Sequence, residues 1–153
     1  MKTFVKIWKR AWRSGSGASV ASTAAMAASG VSDCRSVYAP TNAVSHWIWA
    51  DRAIHRDDAS LRYTATGYLI HHCAAVFWAM LFESFKPVER PRTQAERLVD
   101  AAAVTALAAT VDLRCTPERL TPGFERRLTT PALIAVYAAF GLGLYLCSRD
   151  SEE

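Results

Sequence analysis

GYLIHHCAAVFWAMLF, residues 67–82, sets two adjacent histidines, His71 and His72, inside an otherwise apolar run. The run belongs to a longer stretch, 63–82, without a single Asp, Glu, Lys or Arg. Two more stretches share that property, 14–32 and 128–148, and a fourth, 98–111, is interrupted only by Asp100. A helix on the surface of a soluble protein carries polar or charged residues along its outer face. Charge-free runs of about 20 residues match the hydrocarbon thickness of a bilayer instead. The pattern predicts an all-α polytopic membrane bundle of about four transmembrane helices. The mean hydropathy of +0.04 weighs against this reading and keeps a soluble helical bundle as its rival.

The remaining composition narrows the function. A chain of 153 residues makes one domain. Its net charge of +4 is spread without a nucleic-acid motif, so the excess reads as membrane-proximal charge and no nucleic-acid partner is expected. The cysteines Cys34, Cys73, Cys115 and Cys147 form no CxxC pair, and no structural zinc site or redox dithiol is expected. Neither a nucleophile elbow nor a P-loop, GxGxxG or HExxH motif occurs. No catalytic residue, metal ligand or cofactor is therefore assigned. GLG at 141–143 lies in an apolar run and reads as packing, and Asp57-Asp58 as solvated loop charge.

Along the chain, residues 1–13 alternate Lys and Arg with Phe, Ile and Trp, as a basic amphipathic helix at a membrane surface does. Residues 15–32 form a first helix of small residues, in which Gly17, Ala21, Ala25 and Ser29 repeat every fourth position and permit close helix approach. A signal peptide with cleavage near Ala25-Met26-Ala27 is the competing reading; the missing Leu run argues against it. The connection 33–60 is polar and predicts an interfacial helix over about 43–55, capped by Asn42. Trp47 and Trp49, beside Asp51 and Arg52, suit the headgroup zone, as do Arg126 and Arg127. The second span covers about 61–83, before breaks at Pro87 and Pro91. A capping box, Thr93 with Glu96, starts a third helix over about 94–114. Pro117, Pro122 and Gly123 mark a turn region, Phe124 and Leu128 face inward, and Thr130 with Pro131 opens a last helix over about 130–148.

Sidedness follows from the basic residues. The N-terminus, the 84–97 connection and the tail carry ten Lys and Arg; the other two connections carry eight. The excess favours a cytoplasmic N-terminus.

Two histidines in sequence diverge by about 100° on a helix, so His71 and His72 do not converge on one metal. They straddle a face bearing Tyr68, opposite Ile70, Phe77 and Leu81. The face predicts an intramembrane polar site of Tyr68, His71 and His72 with Asp112, while Thr105 and Tyr137 are further hydrogen-bond partners within reach. The plain reading is interhelical hydrogen bonding, at about 0.6–2 kcal/mol per bond. The functional reading is a proton relay or ligand contact, because ionisable groups at mid-membrane mark pathways. A bis-histidine haem within one chain has no suitable second histidine, since His46 and His55 lie in the polar connection; only an oligomer supplies one.

The strings NAVSHWIWADRA (42–53), TGYLIHHCAAVFWAMLFE (66–83) and RLTPGFERRL (119–128) resemble a family of small uncharacterised bacterial inner-membrane proteins. The resemblance covers roughly 40–130 and implies four short membrane helices; it implies no activity and no catalytic residue. Ala50 stands where that family leads one to expect Gly, and Cys73 where a small residue is expected. The functions in view are a non-enzymatic membrane or envelope component that contacts the lipid bilayer and associates with itself or a membrane partner, a small transporter or proton conductor using His71 and His72, and a membrane redox subunit that binds its cofactor as an oligomer.

Overall fold

The computed structural model describes residues 2–85 and 90–148. The expected break at Pro87 and the charged tail from Arg149 lie outside the described residues. Those described are helical, with turns and no strand. Four long helices form the body: α1 (Lys2–Cys34), α5 (Thr66–Ser84), α6 (Gln94–Thr110) and α7 (Thr130–Cys147). Three short ones, α2 (Ala39–Val44), α3 (His46–Trp49) and α4 (Asp51–Ile54), fill the first connection.

Successive long helices run up and down. Ser22 of α1 meets His71 of α5, and Gly15 lies against Val76 and Ala79, so these two are antiparallel. Arg13 donates from Nε to the Cys147 carbonyl at 3.1 Å, while Asp33, at the other end of α1, accepts from Thr129. Gly141 of α7 faces Thr105 of α6, and Arg97 lies over the Tyr145 ring. The start of α1, the end of α5, the start of α6 and the end of α7 therefore share one end of the bundle.

α1 is the inner helix, gripped by α5 on one side and α7 on the other. It is one continuous helix of 33 residues, about 50 Å long, where the sequence suggests a surface helix and a separate span. Glycine within a helix costs about 1 kcal/mol relative to Ala, so Gly15 and Gly17 read as a break. The helix persists because both are seams. A Cβ on Gly15 would lie 2.7 Å from the Val76 Cα, and one on Gly17 would collide with the Cys147 side chain. The fully buried row of α1 is Ala11, Ser14, Ala18, Ser22 and Met26, and the row Gly17, Ala21, Ala25, Ser29 lies half-buried beside it. Two core clusters follow, one around Ala79, Phe82, Val104, Phe140 and Leu144, the other around Met26, Val44, Phe124 and Val136.

The expected interfacial helix over 43–55 is replaced by three short helices, and Asn42 is not its cap. Asn42 sits inside α2, fully buried, donating from Nδ2 to the Arg56 and Asp58 carbonyls at 3.1 and 2.9 Å. Its Oδ1 accepts from the Thr64 hydroxyl at 2.6 Å. All of α2 is buried, plugging the end of the bundle between the start of α5 and the turn at Gly123. The chain breaks again at Ala50, whose φ of 51° and ψ of −149° belong to a region that glycine alone occupies without cost. Ala50→Gly is expected to raise stability by about 1 kcal/mol, relief of strain exceeding the greater entropy of the unfolded chain. A melting temperature unchanged or lower in the variant would contradict it.

Capping joins the helices. Thr93 and Glu96 form the expected capping box, and Arg90 holds Glu96 at 2.6 Å. Thr129, not Thr130, is the N-cap of α7; Asp33 accepts from its backbone N–H at 2.8 Å and its hydroxyl at 2.9 Å. The Thr129 amide, then its hydroxyl, holds the Asp33 carboxyl below its ordinary value. A depressed folded-state pKa means this contribution is present above the unfolded carboxyl value of about 3.9 and is lost as pH falls through the folded one. The stability difference between wild type and Asp33→Asn is therefore expected to shrink between pH 5 and pH 3; a difference that stays constant would disprove the link.

Candidate functional site

α5 and α6 meet closely where Arg92 lies between Glu83 and Asp100, and between α5, α6 and α7 a cavity of about 620 Å³ opens toward the other end. Its walls are apolar and aromatic: Phe77 and Trp78 from α5, Phe140 from α7, Phe124 from the turn before α7, and Trp47 from α3. Ser22 of α1 reaches it from behind. Its polar lining includes two hydrogen-bonded pairs, His71 with Ser22 and Asp112 with Tyr137.

The first pair joins α5 to α1. The Ser22 hydroxyl donates to the Ala18 carbonyl at 2.7 Å, which leaves its oxygen to accept from His71 Nε2 at 2.8 Å. That assignment places the proton on Nε2 and makes Nδ1 an acceptor. The His71 ring also meets Phe124 edge-on, with centroids 6.3 Å apart. The second pair joins α7 to the π-helical turn Val111–Cys115 that follows α6: the Tyr137 hydroxyl donates to Asp112 at 3.0 Å. Phe124 packs beside Tyr137 as well, at 6.1 Å, so one aromatic ring spans the two polar pairs.

The four residues singled out in the sequence divide. His71 and Asp112 line the one cavity. His72 and Tyr68 stand together elsewhere, with His72 edge-on to Trp12 at 5.3 Å and its ring 5.8 Å from Tyr68. The His72 Nδ1 is buried and has no hydrogen-bond partner among the described residues. Thr105 faces Gly141 of α7 rather than the histidines, and Tyr137 bonds Asp112 rather than either histidine. Ser22, which completes the His71 site, escaped sequence reasoning. Its signal was weak: a serine among many in a small-residue helix.

The aromatic and basic residues near the plugged end tie loops together. Trp47 donates from Nε1 to the Thr121 carbonyl at 2.8 Å and Trp49 to that of Arg62 at 3.1 Å, with the Arg62 guanidinium over the Trp49 ring. Arg126 donates to the Glu118 carbonyl at 3.0 Å, and Arg127 to the Ile54 carbonyl at 2.6 Å and Asp57 at 2.5 Å. Both indoles remain about one-third exposed, at 37% and 36%.

Among the described residues no cluster of three His, Cys, Asp or Glu is placed to hold a metal. No family model, curated protein or solved structure matches the chain. Two helical segments, Leu61–Ser84 and Thr130–Cys147, are long and apolar enough to cross a membrane. α1 and α6, the other two expected spans, do not reach that apolarity: α1 is rich in Ser and Gly, and α6 with the turn that continues it carries Glu96, Arg97, Asp100, Asp112 and Arg114.

Proposed function

We propose that this chain is an integral membrane protein of four helices, a non-enzymatic component of a bacterial inner membrane, as in the family its sequence resembles. The supporting observation is the distribution of residue size and polarity. Leu69, Phe77, Ile134 and Leu142 point outward, each more than half exposed, while Ser14, Ser19 and Ser22 are buried. Only 33% of the apolar window in Leu61–Ser84 and 22% of that in Thr130–Cys147 is buried, whereas a soluble core helix is mostly covered. Large apolar side chains outside and small residues at helix seams are the arrangement that lipid favours. α1 needs little apolarity of its own, because α5 and α7 cover it. The end of the bundle shared by the start of α1 and the end of α7 carries the larger number of basic residues and faces the cytoplasm, and the opposite end, with the α2 plug, faces away from it.

An alkaline carbonate wash of membranes from expressing cells, with the mass of the retained chain, tests this. Retention at full length is expected; release into the supernatant would sink the reading. A second reading, a small transporter, draws on the cavity at mid-bundle. Substituting His71 and His72 by Gln keeps hydrogen bonding and removes titration near neutral pH. Loss of pH-dependent flux in proteoliposomes is the result it requires, and unchanged flux removes the histidines from that role.

A further inference from the structure

We propose that the cavity between α5, α6 and α7 binds a lipophilic organic cation, its charge facing Asp112 and its body held by the aromatic walls. Three observations combine. The volume of about 620 Å³ falls within the roughly 300–1,000 Å³ of small-molecule sites. Asp112 contributes a carboxylate to this apolar wall, and among the described residues neither it nor Glu125 forms an ion pair. Glu125 directly follows Phe124 of the cavity wall in the chain, and its Oε2 is buried with no hydrogen-bond partner among the described residues.

Two acidic groups thus set a negative potential at a site lined by aromatic faces. Both features favour a cation, the first by charge and the second through the ring quadrupoles. The nearby Arg114 and Arg119 are exposed and form no ion pair with Asp112. Tyr137, donating to Asp112, holds the carboxylate against the wall. The opening lies between helices with outward apolar residues such as Leu69 and Phe77, so a ligand with an apolar body enters from that side. An inorganic cation would find too few oxygen ligands there.

The test uses the full chain purified in detergent at pH 8, and does not depend on whether carbonate releases it. Labelled tetraphenylphosphonium is the probe, and tetraphenylborate, of the same shape and opposite charge, is its control. Saturable phosphonium binding is expected, without competition by the borate. Asp112→Asn should weaken it about tenfold or more, and Asp112→Glu, which keeps the charge, should retain most of it. Absence of saturable binding, equal binding of the two ions, or wild-type affinity in a folded Asp112→Asn would overturn the proposal. Should Asp112→Asn fail to fold, the comparison of the two ions on the wild-type chain decides.

Discussion

Replacing Arg92 by Met lowers the stability of the bundle by about 3–5 kcal/mol, the cost of removing one partner of a buried ion pair. Arg92 and Glu83 meet at 2.9 Å with side chains only 1% exposed each. The guanidinium also donates to the Phe82 carbonyl at 3.1 Å, lies 3.5 Å from Asp100 and stacks over the Phe82 ring at 4.4 Å. One planar group therefore joins the end of α5 to the start of α6. Methionine keeps much of the volume and none of the donors, so the Glu83 carboxylate loses its Arg92 salt bridge inside the protein. Arg92→Lys recovers a fraction, because a point charge cannot serve several acceptors in the guanidinium plane. Denaturation in detergent micelles measures the effect, and a loss below 1 kcal/mol would contradict it. Pairing Arg92→Met with Glu83→Gln should restore part of the loss, because the second change removes the charge that Arg92 balances; strictly additive losses would show the two residues to be uncoupled.

Gly143→Ala is the second large effect, about 1–3 kcal/mol from a single added methyl group. Its Cβ would lie 2.5 Å from the Ala18 Cα, 2.8 Å from the Ala18 nitrogen and 2.8 Å from the Gly17 carbonyl oxygen. All three are backbone atoms of α1, so nothing yields unless the two helices separate. Separation would also loosen Leu144 and Ala18, both fully buried in the same cluster. Gly141→Ala is the built-in control. Its Cβ would meet the Thr105 hydroxyl, the end of a side chain that can rotate away. The stability of the two variants, measured under the same conditions, should differ clearly; equal losses would mean that the α1–α7 seam is not what makes position 143 sensitive.

The GLG string at 141–143 shows how sequence and structure divide the information. Its packing role was legible, because glycines inside an apolar helix serve close approach more readily than phosphate binding. Which glycine faces backbone and which faces a side chain was not legible, since that depends on how α7 is rotated against α1 and α6. Ala50 is a parallel case. Its φ of 51° suits glycine, and no local pattern around an alanine announces that backbone conformation. The capping box at Thr93 and Glu96 lies wholly within four residues, and there local chemistry was sufficient.

By itself the sequence determined the all-helical class, the apolar runs that become α5 and α7, and the small-residue character of α1. Each rests on local pattern: the spacing of charge, caps and prolines acts within one or two turns. Only the tertiary structure decided that α1 runs unbroken through Gly15 and Gly17, that α2 is a buried plug, and that Arg92 is a buried ion-pair centre. It alone decided that His71 and Asp112 share a cavity while His72 turns to Trp12 and Tyr68. Adjacent residues on a helix point about 100° apart, so partners are chosen by helix rotation and register. Those are set by the seams where whole helices meet.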